Sequence, residues 1–108
     1  MIMAKSKYRV FTSETVEKKI KKLAPHLIKR LEKLKKALEE NPFSGKALKH
    51  DFLREKKWGP FRVYYLVAKD MLIVFILEFS DKKDQQNAIG EILLGLDEIM
   101  AEIKKKYG

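Results

Sequence analysis

The sequence contains no cysteine. Disulfides, thiolate metal sites and cysteine nucleophiles are excluded at the outset. Histidine is nearly as scarce. His26 and His50 are the two present, and neither stands in a His-x-x-x-His or Glu-x-x-His arrangement. Five glycines are scattered, with no Gly-x-Gly-x-x-Gly and no phosphate-binding P-loop. Acidic pairs such as Glu39-Glu40 and Asp97-Glu98 fall on helix surfaces, where water solvates them and no acid/base pair is formed. A metal-dependent nuclease gathers carboxylates at strand ends, and no such gathering is evident. No metal and no cofactor is expected. Any chemistry then falls to lysine and arginine, which can stabilise charge developing on a phosphate. Long apolar runs are lacking too. Met71–Leu77 (MLIVFIL) is the longest, too short for a membrane helix and suited to a buried strand. The opening MIMAKSKYRV has no apolar signal core. The expectation is a soluble, cytoplasmic protein with no membrane partner.

What is present is basic charge on a small foldable chain. The 108 residues fit one domain, 1–108, and 45% are apolar, enough for a core. Lys and Arg total 24 against 15 acids, a net +9. The excess is uneven. Residues 1–60 hold 14 Lys and 3 Arg against 7 acids, +10, whereas residues 61–108 hold 7 basic and 8 acidic residues, −1. Solvated helix faces normally mix both signs. A one-sided excess is the footprint of a face that meets an anionic partner such as nucleic acid or the ribosome.

Periodicity supplies the elements. Tyr8–Phe11 is β-prone. Ser13 or Thr12 can cap the helix that follows, with Glu14 and Glu17 in its first turns and Val16, Ile20 and Leu23 on its apolar stripe. Pro25 breaks this helix and opens the next. There Leu27, Leu31, Leu34 and Leu38 recur at helical spacing up to Asn41-Pro42. The two helices read as an αα-hairpin with lysines outside. Phe43-Ser44-Gly45-Lys46 is a loop. Three strands are expected near 51–57, 61–68 and 71–79, with a tight turn at Lys69-Asp70. Ser80 or Asp81 then caps a last helix, whose apolar face runs from Ile89 through Leu96 and Met100 to Ile103. The predicted class is α+β, in the order β-α-α-β-β-β-α, with a mainly antiparallel sheet packed by the hairpin and a C-terminal helix.

Trp58-Gly59-Pro60-Phe61-Arg62-Val63-Tyr64-Tyr65 resembles the third-strand motif of the RelE/ParE toxin superfamily. That motif is an aromatic, a Gly-containing turn, then aromatic-Arg-hydrophobic-hydrophobic-Tyr. Asn41-Pro42 with Lys46 and Leu48 resembles the family's stretch after its second helix. Phe75–Phe79 followed by Ser80–Asp84 resembles its last strand and the basic tract beyond. The likeness covers nearly the whole chain. It implies the small RelE-like fold and the toxin of a type II toxin–antitoxin pair, with a cognate antitoxin as partner. RelE-like members cut mRNA in the ribosomal A site, the ribose 2′-OH attacking the adjacent phosphate with help from basic side chains and often a tyrosine. ParE-like members inhibit DNA gyrase instead. A non-catalytic RNA- or ribosome-binding module on the same fold is the third reading, since fold does not fix function.

The resemblance also implies roles. Arg62 matches the strand arginine that would bind the scissile phosphate, a guanidinium being able to grip two phosphate oxygens. Its structural alternative is a bond to a carbonyl or an acid. Lys82 or Lys83 matches the basic residue after the last strand, and Arg54, Lys56 and Lys57 fall on the strand where basic catalytic residues stand. Alternation puts Arg54 and Lys56 on one face of the strand and Lys57 on the other. Lys57, Lys46 and Lys49 are candidate RNA contacts. Trp58 is either a stacking platform for a base or a packing anchor at the turn. One position departs from the pattern: Gln86 stands near the place of the ribonucleolytic members' tyrosine. Tyr64 or Tyr65 could compensate, one on each face of its strand.

Overall fold

The computed structural model describes residues 7–108. Residues 1–6, which belong to the segment read for a signal core, lie outside the described residues. Strand β1 is Arg9–Thr12, and helices α1 (Glu14–Ile20) and α2 (Pro25–Glu40) follow. A single 3₁₀ turn at Pro42–Ser44 leads to a two-residue strand β2, Lys46–Ala47. Strands β3 (Leu53–Trp58), β4 (Phe61–Ala68) and β5 (Ile73–Asp81) come next, then helices α3 (Gln85–Leu94) and α4 (Leu96–Tyr107). The strands form one sheet in the order β1-β5-β4-β3-β2. β1 runs parallel to β5, and the other pairings are antiparallel.

The sheet is covered on both faces, which explains why FRVYYLVA is a nearly unbroken apolar run rather than an alternating one. Val63, Tyr65 and Val67 of β4 point to one side, where Leu31, Leu34 and Leu38 of α2 and Val16 of α1 pack on them. Tyr64 and Leu66 point to the other side and meet Ala88 and Ile92 of α3 and Leu96 and Ile103 of α4. Ser13 caps α1, its Oγ accepting from the Val16 N–H at 3.1 Å and donating to the Leu77 carbonyl at 2.8 Å. The cap therefore also ties the hairpin to β5. Pro25 occupies the first turn of α2 as its fixed φ favours.

Several boundaries differ from the sequence reading, each for a local reason. Lys46 is strand rather than loop, because Lys46 and Ala47 pair with Glu55 and Arg54; two residues are too few to show a period. The turn after β4 takes four residues, with Leu72 in the left-handed region at φ 55°, so β5 starts at Ile73. Ser80 and Asp81 do not cap the last helix. They remain in β5, paired with Arg62 and Phe61, and the Asp81 carboxylate instead accepts from the Asp84 N–H at 2.9 Å. The last helix is two helices, broken at Gly95. Glycine is a weak helix former, and the apolar spacing continues across it, which hides the break. Beyond it Met100 turns outward instead of joining the core.

Candidate functional site

The turn between β3 and β4 sets the geometry of the site. Gly59 adopts φ 56°, which an L side chain rarely takes, and Pro60 follows it. With just these two residues in the turn, Trp58 pairs with Phe61, Lys57 with Arg62 and Glu55 with Tyr64. Partners across a strand pair share a face. Two rows of side chains result on the face that α3 and α4 cover further along. One row is Lys46, Glu55 and Tyr64. The next is Lys57, Arg62 and Ser80. Lys82 and Lys83, both exposed, follow directly at the end of β5 beside this second row. Three of the predicted basic residues, Lys46, Lys57 and Arg62, are thus brought together.

Tyr64 also pairs with Glu78 of β5, next to an irregularity of register, but the Glu78 carboxylate turns to Lys19 of α1 at 2.7 Å, which leaves the array one carboxylate of its own. Glu55 is 6% exposed, the one buried charged residue among those described, and its Oε2 accepts from the Gln85 side-chain amide at 2.8 Å. Gln85 opens α3, so this bond docks the helix start onto the sheet. Arg62 forms no ion pair among the described residues, and it is half-buried at the open end of the sheet. Its cross-strand neighbours are a lysine and a serine rather than an acid. An unneutralised guanidinium beside an ammonium group is a ready site for a phosphate. Tyr64 is fully buried, and its hydroxyl lies 2.8 Å from Ser80 Oγ. Burial pushes the Tyr64 phenol above its ordinary value. The Glu55 and Asp81 charges push the same way, against the Ser80 hydrogen bond and the Arg62 charge.

Arg54 and Lys56 are on the opposite face, with Trp58, and the sheet separates them from Arg62. Their assignment to one catalytic group with Arg62 is corrected by this register. Arg54 is 13% exposed at its side chain and fully engaged. Its guanidinium donates to the carbonyls of Phe43 (3.2 Å), Gly45 (2.8 Å) and Asp51 (2.9 Å), and pairs with the Asp51 carboxylate at 2.6 Å. Lys56 Nζ donates to Ser44 Oγ at 2.6 Å. Both side chains clamp the 43–45 loop. Tyr65 belongs to the same clamp, its hydroxyl accepting from the Gly45 N–H at 3.0 Å. Burial raises its pKa, which the Gly45 bond partly offsets. Gly45 is required there, since a Cβ would lie 2.5 Å from both the Glu55 carbonyl and the Tyr65 hydroxyl.

Trp58 is an anchor, not an exposed platform. It is 3% exposed, its indole N–H donates to the Leu27 carbonyl at 3.0 Å, and its ring packs on Phe61 and Phe79. Lys49 is exposed in the bend before β3, apart from the two rows. Gln86 is exposed one residue into α3 and plays no part in the Glu55 bond, which its neighbour makes. Glu55, Ser80 and Gln85 were not read as site residues in the sequence, where Ser80 had the role of a helix cap. The two-residue turn was the signal for Glu55, because it fixes the register. Ser80 and Gln85 become visible only with β5 and α3 in place. Of the basic residues of 1–60, Lys46 and Lys57 belong to this array, while most of the others, from Lys18 to Lys36, lie along the α1–α2 hairpin beyond the opposite face.

The chain was compared with known proteins. Residues 10–86 match the family model described as ParE toxin of type II toxin-antitoxin system, parDE. Among solved structures, the chain is similar to the archaeal RelE in a RelE–RelB complex from Pyrococcus horikoshii OT3. The identity is 24% over 69% of this chain and 94% of that one, with a TM-score of 0.64. It is similar at 21% identity to the Mycobacterium tuberculosis toxin–antitoxin complex RelBE2, over 70% of this chain and 92% of that chain, with a TM-score of 0.62. A mutant E. coli toxin RelE in the free state matches at 19% identity over 80% of this chain and 98% of that chain, with a TM-score of 0.65. No curated protein matches the chain. At these identities the solved structures establish the shared α+β fold.

Proposed function

Because this chain belongs to the ParE toxin family of type II toxin–antitoxin systems, within the RelE/ParE superfamily, we propose that the two-row array is an RNA-phosphate site and the protein a ribosome-dependent mRNA endonuclease. The observation that carries this is the Lys57–Arg62 cross-strand pair, two cations side by side with no carboxylate bridging them. Arg62 grips the non-bridging oxygens of the scissile phosphate, and Lys57 and Lys46 hold the flanking backbone. The adjacent ribose 2′-OH attacks phosphorus and gives up its proton to water, the bond to the 5′ oxygen breaks, that oxygen takes a proton from water and leaves as a hydroxyl, and a 2′,3′-cyclic phosphate remains. Negative charge grows on the phosphate oxygens in that step, and fixed cations stabilise it more than the ground state. Lys82 and Lys83, exposed beside the same sheet end, steer the strand and counter charge on the leaving group.

A cognate antitoxin is the proposed protein partner. The P. horikoshii and M. tuberculosis structures, complexes of a toxin with its antitoxin, support it. Leu94, 91% exposed on α3, and Met100 on α4 offer apolar contacts for such a partner. Among the described residues no helix is long and apolar enough to cross a membrane. A second reading is a binding toxin that inhibits DNA gyrase. Gln86, in place of a titratable tyrosine, favours it, as does the ParE description of the matched family. The test is cleavage of mRNA on programmed ribosomes against free mRNA, with the new ends mapped. Cuts confined to the A-site codon support the nuclease, and intact RNA in both reactions supports the binding toxin.

A further inference from the structure

Ser80 is the direct cross-strand partner of Arg62. Side chains so paired have Cβ atoms about 5 Å apart, so Ser80 is within reach of a phosphate held by the Arg62 guanidinium. The serine hydroxyl is held between two neighbours. It is 2.8 Å from the buried Tyr64 hydroxyl and 3.0 Å from the Asp81 carbonyl. Only one assignment of hydrogens satisfies both contacts: Tyr64 donates to Ser80 Oγ, and Ser80 donates to the Asp81 carbonyl. The Asp81 contact is exposed, so water can replace it. The Tyr64 contact is part-buried, made from a fully enclosed residue, and persists.

We propose that Ser80 is a further phosphate-contacting residue and Tyr64 its positioning residue. When RNA enters, the Ser80 hydrogen turns from the Asp81 carbonyl to a phosphate oxygen already held by Arg62. Tyr64 continues to donate to Ser80 Oγ and polarises it, strengthening the outgoing bond. Tyr64 is completely enclosed and does not reach the RNA itself. Its phenol stays a donor at neutral pH because burial, with the Glu55 and Asp81 charges, disfavours ionisation. The remaining groups around it are Arg62, Lys57 and Lys46 on the same face and Gln85 from α3. Tyr65, the neighbouring candidate, is on the other face and is engaged with Gly45 of the 43–45 loop. The inference rests on the RNA-phosphate reading and names one more contact within it.

The test uses the full chain in two measurements. One is the rate of mRNA cleavage on programmed ribosomes. The other is the affinity for the same ribosomes carrying mRNA blocked by 2′-O-methylation at the A-site codon. Ser80→Ala lowers kcat about tenfold and Ser80→Thr restores it, as expected for one lost hydrogen bond to a charged group. Tyr64→Phe lowers kcat several-fold with KM unchanged. The double variant is no worse than Ser80→Ala alone, because the two hydroxyls act through one bond. Circular dichroism confirms folding of each variant. Wild-type rates and affinities in both single variants, with Arg62→Ala inactive, overturn the Ser80 assignment and leave the nuclease standing. If the wild type binds blocked ribosomes but does not cleave, the nuclease reading fails alone. Weaker binding by Ser80→Ala then supports the phosphate contact, and unchanged binding overturns it. A wild type that neither cleaves nor binds overturns both.

Discussion

Lys57 and Arg62 face each other across the β3–β4 hairpin, two cations paired on one side of the sheet. Like charges directly opposite cost a strand pair up to about 1 kcal/mol. A site shaped for a phosphate accepts that cost, and its ligand relieves it. Lys57→Glu is accordingly expected to stabilise the fold by about 0.5–1 kcal/mol in urea denaturation. The same variant loses RNA binding, since the new carboxylate pairs with Arg62 and repels phosphate. A variant with both lower stability and intact binding contradicts the pairing.

Arg54 is expected to matter for stability in a way that Arg62 does not. Arg54→Ala releases the carbonyls of Phe43 and Gly45 and leaves the 43–45 loop without its clamp. Lost hydrogen bonds to a charged donor of this kind cost about 2–4 kcal/mol in total. Hydrogen exchange rises first in residues 43–46. Unchanged stability with abolished cleavage returns Arg54 to the catalytic group.

The contrast between these two arginines shows what the sequence could convey. Alternation along β3 already separated Arg54 and Lys56 from Lys57. The Trp58-Gly59-Pro60-Phe61 turn contained the register that places Lys57, not Arg54, beside Arg62. That arithmetic depends on the turn having two central residues, which Gly59 makes possible. The two helices of the hairpin were legible because Val16 and Ile20 mark one apolar stripe and Leu27 through Leu38 repeat at helical spacing in the next. Ser80 was read as a helix cap because serine before a helical pattern has that meaning locally. Its pairing with Arg62 is a long-range fact, and no local signal announces it. Trp58 was open to two readings, and the Leu27 carbonyl, 31 residues away, decides between them.

Leu72 sits at φ 55° in the turn before β5. The left-handed region costs an L residue roughly 1–2 kcal/mol, and glycine adopts it freely. Leu72→Gly is expected to raise stability by about 0.5–1 kcal/mol, net of glycine's larger unfolded-state entropy. Thermal unfolding checks this. A lower Tm shows that the partly exposed Leu72 side chain contributes more by packing than its backbone costs.

Two of the four tyrosines should titrate late. Burial raises the Tyr64 and Tyr65 phenols above the ordinary 10.0, so the folded chain holds these protons more tightly than the unfolded one. Their contribution to stability is complete below pH 10 and is lost as pH rises through the folded values. Denaturation from neutral to strongly alkaline pH should show stability falling above pH 10. The phenolate absorbance of Tyr64 and Tyr65 should appear together with unfolding. Their ionisation near pH 10 with the fold intact contradicts their burial.

The central claim is that the face bearing Arg62 acts on RNA phosphate. Its most direct measurement compares purified, folded, antitoxin-free wild type with Arg62→Ala on mRNA-programmed ribosomes, with the 5′ ends of all fragments mapped. The account predicts A-site cuts by the wild type and none by Arg62→Ala, whose sheet and core are untouched. Full cleavage by a folded Arg62→Ala variant, or intact mRNA with the wild type, contradicts it.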